Sequence, residues 1–405
     1  MTIIPALSDN DQNIVIMHQC PNMDHSKNLK KRGVIISVAL LVIAVCIIVT
    51  IVLAIIFTMT PKSNLKKVIV IARHGARTSF FKIPQSVVPE WQCDLPQKIS
   101  YDKQLILLNT TTPTPCPPGE LVKKGFQQHQ EVGLILKKDY IDSGFIQSNY
   151  NPSEIKLRST NTTRTRASLL GQLSVLFPNN KQFDVEMVEN LNDGYHPQWP
   201  CTWQTKLKEN NYVKYESDFP TKVELNQYNG YLKTTNWDWY MMWDSLRAIT
   251  GRGDKLPSVV TDTVYKQIEK ANNAYWKHWF CNADKNDMVK IVQINIGPIF
   301  SDIIQKLTTD TQKMSIITAH DTTLAPLMTV LTNSNWNCDQ PKFAAFIQIE
   351  MNKQDQISVK YLGKQVNTLE CVGKSYCTMS ELTQLFQKYI VSGQSRIDLC
   401  ESTNI

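Results

Sequence analysis

The sequence predicts an α/β fold in which a mostly parallel sheet is flanked by helices and preceded by one transmembrane helix. Beyond residue 65, apolar runs of strand length alternate with stretches whose apolar residues are spaced three and four apart. Such alternation is typical of parallel sheets covered on both faces. Residues 33–57 form an uncharged apolar stretch of the length that a bilayer requires. Histidines and arginines follow two of the strand-like runs, which is where open α/β sheets bind ligands.

The uncharged stretch at residues 33–57 is rich in Ile, Val, Leu and Ala. A spanning helix needs about 20 apolar residues, so this stretch predicts a helix that crosses the membrane with some tilt. A cleaved signal peptide is the alternative, but its apolar region is usually about 7–15 residues long and ends in a small-residue cleavage site. Residues 57–61 contain no such site, and a polar tail at residues 1–32 precedes the stretch. We therefore predict a signal anchor that stays in the mature chain.

The orientation of the anchor is predicted from the cysteines and sequons beyond it, because basic residues flank both of its ends and favour a cytoplasmic amino terminus only slightly. Eight of the ten cysteines lie beyond the anchor, and an even number on one side is typical of an oxidising compartment. Two glycosylation sequons, at Asn109 and Asn161, lie there too. We expect a type II single-pass membrane protein, with a cytoplasmic tail at residues 1–32 and a lumenal or extracellular glycoprotein domain at residues 58–405.

The domain beyond the anchor contains six segments with the composition of strands. They are residues 68–72, 154–158, 182–188, 314–319, 343–350 and 356–362. The last two are joined by residues 352–355, which predict a hairpin. Residues 119–138 have the apolar spacing of a helix, and residues 195–290 are mostly helical in pattern and rich in Trp and Tyr. Short sequence separation favours disulfide bonds Cys93–Cys116 and Cys371–Cys377.

Two charged clusters follow strand-like runs. Arg73, His74 and Arg77 come directly after residues 68–72, and His320 and Asp321 come directly after residues 314–319. If these two strands are neighbours, one pocket holds two imidazoles, two guanidinium groups and a carboxyl group. Arginine binds phosphate oxygens in pairs and stays charged, and histidine can act as a nucleophile. The clusters therefore predict a phosphate site with a histidine that attacks the phosphorus.

The first cluster resembles the Arg-His-Gly-x-Arg-x-Pro signature of the histidine acid phosphatases, which form branch 2 of the histidine phosphatase superfamily. Arg73, His74, Gly75 and Arg77 match this signature, and His320-Asp321 matches the family's distal His-Asp pair. Ser79 stands where the family usually has proline, so the loop after Arg77 is expected to be less rigid. The chain is thus similar to a membrane-anchored member of this family.

A third stretch, residues 157–168, resembles the family's strand-to-helix turn whose arginine grips the phosphate. Arg158 holds the matching position in this turn. We expect Arg164 to brace the site from behind and Arg166 to be an exposed helical cation. Asn161 lies in the same turn, where a glycan would block the site, so we expect Asn109 to be glycosylated and Asn161 to be bare.

The resemblance implies an acid phosphatase that hydrolyses phosphate monoesters and needs no metal or other cofactor. His74 is expected to attack and form a phosphohistidine, while Asp321 protonates the leaving group. The phosphate-binding residues are expected to be Arg73, Arg77, Arg158 and His320. The resemblance also makes residues 195–290 an inserted helical cap whose aromatic residues pack mainly with one another, and it pairs Cys400 with Cys201.

The overall charge does not indicate nucleic-acid binding. The net charge is +7, and the seven basic residues that flank the anchor account for it. A phosphomonoester is therefore the expected partner, in addition to the membrane. The alternatives within the same fold are a lysophosphatidate phosphatase or an inositol-phosphate phosphatase, and outside catalysis a binding domain on an inactive phosphatase fold. The sequence leaves open the natural substrate, whether the compartment is lysosome-like, secretory or the cell surface, and whether a homodimer forms.

Overall fold

The computed structural model falls into two units, Met1–Pro61 and Lys62–Ile405. It describes residues 38, 40–51, 63–91, 93–95, 97–98, 104–106, 108–109, 116–189, 193–196, 201–282, 285–367, 369–371, 375–391 and 393–402. In the first unit, residues 40–51 are helical and exposed. None of the helices in these ranges is both long and apolar enough to cross a membrane. The predicted tail at residues 1–32 and much of the predicted anchor at residues 33–57 lie outside the described residues.

The second unit alternates strands and helices. Its strands are β1 Leu65–Arg73, β2 Gln97–Lys98, β3 Gln104–Ile106, β4 Leu108–Asn109, β5 Ile155–Ser159, β6 Gln182–Asp184, β7 Met314–Ala319, β8 Phe346–Asn352, β9 Gln356–Tyr361, β10 Lys364–Gln365 and β11 Cys377–Thr378. Its α-helices are α1 Lys123–Leu136, α2 Thr163–Leu176, α3 Thr202–Lys214, α4 Lys222–Leu232, α5 Trp239–Arg252, α6 Asp262–Phe280, α7 Lys285–Thr308, α8 Asp321–Thr332, α9 Met379–Gln387 and α10 Gly393–Glu401. A π-helical turn, Lys137–Ile141, continues α1, and a short 3₁₀ turn, Glu216–Asp218, follows α3.

The main sheet has seven strands in the order β10-β9-β8-β1-β7-β5, and β11 pairs with β9. Strands β1 and β5 both lie parallel to β7, with Arg73 beside Ala319 and Ser159 beside Thr318. The carboxyl ends of these three strands therefore meet at one edge of the sheet. The three turns that leave this edge carry the clusters singled out in the sequence.

The expectation of a mostly parallel sheet is wrong. Strand β8 runs antiparallel to β1, and β9 runs antiparallel to β8, β10 and β11. The cause is the route of the chain after α8. Residues 333–345 return to the edge where β7 ends, so β8 starts there and runs in the opposite direction to β1. The predicted hairpin at residues 352–355 then adds β9 as a further antiparallel neighbour, since so short a connection cannot join parallel strands.

The main sheet has one apolar core on each face, and alternate residues of β1 point into one core or the other. Ile69 and Ile71 pack with α7, α8 and α9, whereas Val68 and Val70 pack with α1 and α2. This alternation is the period of two expected of a strand. The sheet is thus flanked by helices on both faces, as the sequence predicted.

Helices α3 to α6 span residues 202–280 and correspond to the predicted helical segment at residues 195–290. They have an apolar core of their own, which includes Trp239, Met242 and Trp243. We call this group of helices the cap. Aromatic packing within the cap accords with the expectation for its aromatic residues, although Trp243 also lines a pocket that contains His74.

Four disulfide bonds connect the eight cysteines beyond the predicted anchor. They are Cys93–Cys116, Cys201–Cys400, Cys281–Cys338 and Cys371–Cys377. The two short-range pairs and the pair implied by the resemblance are all present. Cys201–Cys400 joins the start of the cap to the carboxyl-terminal helix α10.

Candidate active site

His74 lies at the end of β1, where its side chain is buried with 3% exposure. Its backbone N–H donates to the carbonyl of Ala319, which joins the ends of β1 and β7. Its Nδ1 lies 2.9 Å from the carbonyl oxygen of Gly75. Because a carbonyl oxygen only accepts, Nδ1 carries the hydrogen and Nε2 of the neutral ring keeps its lone pair. This is the arrangement that a nucleophilic histidine requires.

The surroundings keep the His74 ring neutral. Burial lowers the pKa of His74 well below its ordinary value, and the positive charges of Arg164, Arg73 and Arg77 lower it further. An imidazole with a lowered pKa retains its lone pair in acid, where an exposed histidine would be protonated.

The loop after His74 packs directly against the start of α1. A Cβ atom on Gly75 would lie 2.3 Å from the carbonyl oxygen of Gly125, and a Cβ on Gly125 would lie 2.1 Å from that of Ala76. The Gly75 N–H donates to the Ser168 hydroxyl (3.0 Å), and the Ala76 N–H donates to Gln128 Oε1 (2.9 Å). Glycine at both positions is therefore a steric requirement of this close approach.

Arg73 and Asp321 form an ion pair across the pocket. The Arg73 NH2 group lies 2.9 Å from Asp321 Oδ2, and NH1 donates to the carbonyl of Pro341. The guanidinium group also stacks 4.5 Å from the ring centroid of Phe343. Burial alone would raise the pKa of Asp321, but Arg73, Arg247 and the Gln340 amide outweigh it and hold that pKa below its ordinary value.

Arg77 is paired with a carboxylate from the cap. Its NH2 group lies 2.6 Å from Asp244 Oδ1 on α5. Asp244 Oδ2 accepts hydrogen bonds from the Ser79 hydroxyl (2.8 Å) and the Phe80 N–H (2.7 Å). The serine that replaces the family's proline thus ties the loop after Arg77 to the cap.

Arg164 lines the pocket from the first turn of α2. Its guanidinium group lies 5.3 Å from the Phe80 ring centroid. Among the residues that the structure describes, Arg164 pairs with no carboxylate, and its buried Nε has no hydrogen-bond partner. Burial lowers the pKa of Arg164 to about 10, with a further contribution from Arg77. A half-buried guanidinium group that lines a pocket and has no carboxylate partner there is suited to bind an anion.

Arg158 lies elsewhere, although the sequence predicted that it holds the phosphate. It is not among the residues that line the pocket. Its NH1 group donates to Glu186, and its NH2 group lies 2.8 Å from Asp193 Oδ1. Burial lowers the pKa of Arg158, but the Asp193 carboxylate more than compensates and raises it overall. The geometry favours Arg164 for the role predicted for Arg158. Arg166, expected to be exposed, is buried with 4% exposure and donates to Asn161 Oδ1.

His320 faces His74 across the pocket, with ring centroids 5.7 Å apart. Its Nε2 lies 3.0 Å from the Thr160 hydroxyl, which donates its own hydrogen to Thr165. Nε2 of His320 therefore carries a hydrogen. His196 packs edge-on against His320 at 5.1 Å, and its carbonyl accepts from Arg396 of α10.

The pocket has a volume of about 260 Å³, and both the sheet edge and the cap contribute to it. The sequence-predicted residues that it brings together are Arg73, His74, Arg77, His320 and Asp321. Arg164, expected to brace the site from behind, lines the pocket as well. The sequence did not point to the remaining lining residues, which are Phe80, His196, Tyr240, Trp243, Asp244, Arg247, Thr322, Gln340 and Phe343. Most of these come from the cap or from residues 333–345. In the sequence, only the aromatic run at residues 236–243 could have indicated any of these residues, namely Tyr240 and Trp243.

Comparisons with known proteins show the family of this chain. The sequence model of the histidine phosphatase superfamily (branch 2) matches residues 64–363. Lysophosphatidic acid phosphatase type 6 of Mus musculus is 24% identical over 388 residues, which cover 84% of this chain and 89% of that protein. Lysosomal acid phosphatase of Xenopus laevis is 23% identical over 262 residues, 58% of this chain and 59% of that protein. The solved structure of the phytase of Citrobacter braakii superimposes with a TM-score of 0.56 at 15% identity, and the match covers 84% of this chain and 100% of that chain. This similarity is one of fold.

Proposed function

This chain belongs to branch 2 of the histidine phosphatase superfamily, and from that premise we propose that it is an acid phosphatase that hydrolyses phosphate monoesters through a phosphohistidine on His74. The observation that best supports the proposal is the state of the His74 ring. Its Nδ1–H donates to the Gly75 carbonyl, and its lowered pKa leaves Nε2 unprotonated beside three guanidinium groups.

The phosphoryl group is held by positive charge on several sides. Arg73, Arg77 and Arg164 line the pocket around His74, and two helix amino termini, those of α2 and α8, start at its edge. Guanidinium groups bind phosphate oxygens in pairs, and helix amino termini favour anions. His320 serves as a further donor when the negative charge of the phosphate favours its protonation.

The reaction proceeds in two steps. In the first, His74 Nε2 attacks the phosphorus, the bond from phosphorus to the ester oxygen breaks, and the leaving oxygen takes a proton from Asp321. In the second, a water oxygen attacks the phosphohistidine, the phosphorus–nitrogen bond breaks, and the Asp321 carboxylate takes a proton from that water. Inorganic phosphate and the starting state of the enzyme result.

Asp321 must be protonated to act as the donor, yet Arg73 and Arg247 hold its pKa low in the pocket without substrate. The negative charge of a bound phosphate competes for the same guanidinium groups, and it therefore raises the pKa of Asp321. Protonation of a carboxyl group is favoured by acid, so kcat should fall as the pH rises. We therefore expect an acidic working range.

Trapping the covalent intermediate tests the proposal. A phosphoramidate on histidine is labile in acid and stable in base, whereas a phosphoserine ester is stable in acid and an acyl phosphate on aspartate is labile in base. Rapid quenching with labelled substrate, followed by stability tests in acid and base and by peptide mapping, therefore identifies the nucleophile. We expect label on His74, and we expect His74→Ala to abolish turnover while the protein stays folded. His278→Ala changes a buried histidine of the cap outside the pocket and should retain the label. Label on a serine or aspartate would contradict the mechanism.

A lysophosphatidate is the second candidate substrate. The relative from Mus musculus is a lysophosphatidic acid phosphatase, and aromatic side chains of Phe80, Tyr240, Trp243 and Phe343 line the pocket beside its charged residues. The lining that the structure describes contains no lysine, which disfavours a highly charged inositol polyphosphate. A kcat/KM for lysophosphatidate far above that for glycerol phosphate would support the lipid substrate, and equal values would exclude a role for the acyl chain.

We also propose that residues 33–57 anchor the chain in a membrane, with residues 58–405 on the lumenal or extracellular side. The support is the uncharged composition of this stretch and the four disulfide bonds beyond it. Protease treatment of sealed vesicles should remove the amino-terminal tail and spare the large domain. Digestion of the large domain with protection of the tail would show the opposite orientation.

A further inference from the structure

The amide group of Gln340 lies between the cap and Asp321. Its Nε2 donates to Asp321 Oδ2 at 2.6 Å, and its Oε1 accepts from the Trp243 indole N–H at 2.9 Å. An indole nitrogen can only donate a hydrogen bond. Trp243 therefore requires the amide oxygen to face the cap, and this leaves the amide N–H₂ facing the carboxyl group. The direction of the Gln340 amide is thus determined by a residue of α5.

In this arrangement, every group at hydrogen-bond distance from the Asp321 carboxylate is a hydrogen-bond donor. Besides Gln340, Arg73 NH2 lies 2.9 Å from Oδ2, and the Thr322 N–H donates to Oδ1 at 2.9 Å. The other charged or titratable groups that act on Asp321 are Arg247 and Tyr240 of α5, Arg164 of α2, Tyr275 of α6 and the adjacent His320. Within this set Arg73 and Gln340 are the side chains at hydrogen-bond distance, and Gln340 is the uncharged one.

We propose that Gln340 and Trp243 are positioning residues for the proton donor: the indole orients the amide, and the amide orients the Asp321 carboxyl group toward the leaving oxygen. This inference rests on the proposed function, in which Asp321 donates the proton. As the proton passes from Asp321 to the leaving oxygen, negative charge develops on the carboxyl group. The Gln340 N–H then donates to a carboxylate, and such a preoriented donor stabilises the transition state more than the ground state.

This arrangement also explains how the cap takes part in the chemistry. Trp243 belongs to the cap core, whereas Gln340 belongs to residues 333–345, which return the chain to the sheet edge. The hydrogen bond between them is therefore a direct connection from the cap to the proton donor.

Two variants and a control test the proposal. Gln340→Leu removes the amide, and Trp243→Phe removes one N–H while keeping an aromatic ring. Trp239→Phe is the matched control, since Trp239 lies one turn earlier on α5 with similar burial but does not line the pocket. Each purified protein is checked for its unfolding midpoint. Its kcat is then measured from pH 4 to pH 8 with nitrophenyl phosphate, a good leaving group, and with glycerol 2-phosphate, a poor one.

Gln340→Leu should slow glycerol 2-phosphate by about tenfold and nitrophenyl phosphate by less than about twofold, because only the poor leaving group needs the proton fully. The amide N–H favours the charged carboxylate, so its removal raises the pKa of Asp321 and should move the falling limb of kcat to higher pH by about one unit. Trp243→Phe should change both quantities in the same direction but less, because the amide can then turn. Trp239→Phe should change neither the ratio of kcat for the two substrates nor the pH at which kcat falls.

If Gln340 had a purely structural role, Gln340→Leu would lower kcat equally for both substrates and leave the pH at which kcat falls unchanged. That result would overturn the inference. Asp321→Asn, measured in parallel, separates this failure from a failure of the proposed function. If Asp321→Asn discriminates between the two substrates and Gln340→Leu does not, only the positioning role is lost. If Asp321→Asn does not discriminate either, Asp321 is not the donor, and the donor role proposed for Asp321 fails together with the positioning role of Gln340, while the phosphohistidine on His74 is tested separately by trapping.

Discussion

At the residue scale, two arginines six positions apart have different partners. Arg158, at the end of β5, meets carboxylates of Glu186 and Asp193, and Asp193 is fully buried. Arg164, in the first turn of α2, faces the pocket and pairs with no carboxylate among the described residues. The first guanidinium group neutralises a buried charge, and the second remains available for an anion.

Exchanging each arginine for alanine should separate these two roles. Arg164→Ala should lower kcat/KM by about 10²–10³-fold, as expected for loss of a charged donor to the transition state, with little effect on stability. Arg158→Ala should lower the free energy of unfolding by about 3–5 kcal/mol, because Asp193 is left buried without its partner. The measurements are steady-state kinetics and urea unfolding of both variants. The reverse pattern would return the phosphate-binding role to Arg158.

The residues that could be predicted share one property, which is that each directly follows a buried strand. Arg73 and His74 follow the apolar run of β1, and His320 and Asp321 follow β7. Arg158 lies on β5 and Arg164 in the first turn of α2, and the motif alone did not show which of these two side chains reaches the pocket. Gln340 lies in an irregular segment that no apolar period marks.

At the element scale, the close approach of α1 to the loop after His74 determines the position of the nucleophile. Gly125 on α1 contacts the Ala76 backbone, and Gly75 contacts Gly125. The Val122 N–H donates to the Ala76 carbonyl, which fixes the start of α1 against the same loop. Helix and loop therefore can be separated only by moving His74.

Gly125→Ala should displace this loop. The added Cβ would lie 2.1 Å from the Ala76 carbonyl oxygen, a distance that requires backbone movement. We expect kcat to fall by at least about 10²-fold, since misplacing a reacting group by about 1 Å has an effect of that size. Gly230→Ala is the matched control, because Gly230 lies inside α4 with no atom within 4 Å of its added Cβ. It should retain activity and stabilise the cap slightly. Full activity of Gly125→Ala would show that the contact is not required.

The arrangement of the sheet shows where element-level prediction from sequence ends. The alternation of strand and helix predicted β1, β5 and β7 and the helices between them. It did not predict that residues 333–345 return the chain to the carboxyl edge of β7, since an irregular segment has no period that reveals its direction. That return makes β8 antiparallel, and it also brings Gln340 and Phe343 to the pocket.

At the scale of the whole molecule, three buried neutral histidines make folding depend on pH. Burial lowers the pKa of His129 to about 3, and it lowers those of His74 and His320 well below their ordinary value. In the unfolded chain the same rings take up protons below about pH 6.5. Their contribution to stability is therefore present above about pH 6.5 and is lost as the pH falls toward the folded-state values.

The free energy of unfolding should fall on acidification from about pH 6.5 to about pH 4.5. Each of the three histidines contributes about 1.4 kcal/mol per pH unit in this window. Urea unfolding at several pH values measures the slope. His129 does not line the pocket, and its Nε2 lies 3.0 Å from the backbone carbonyl of Arg73. His129→Gln removes one of the three rings and keeps a side-chain N–H donor, so it should reduce the slope by about 1.4 kcal/mol per pH unit. An unchanged slope in this variant would mean that His129 is protonated in the folded protein.

The place of Arg396 near the end of the chain has a consequence for the timing of biosynthesis. Its guanidinium group donates to the carbonyls of Asp193, His196, Ile294 and Asn295, and α10 is also bonded through Cys400 to Cys201. The segment that presents His196 beside His320 therefore lacks this support until α10 has been made. At roughly 5–20 residues per second, about 20–60 s pass between synthesis of His74 and synthesis of Arg396. A nascent chain that already contains the nucleophile thus still has an unfinished pocket, and a chain that stops before Arg396 would lack these hydrogen bonds permanently.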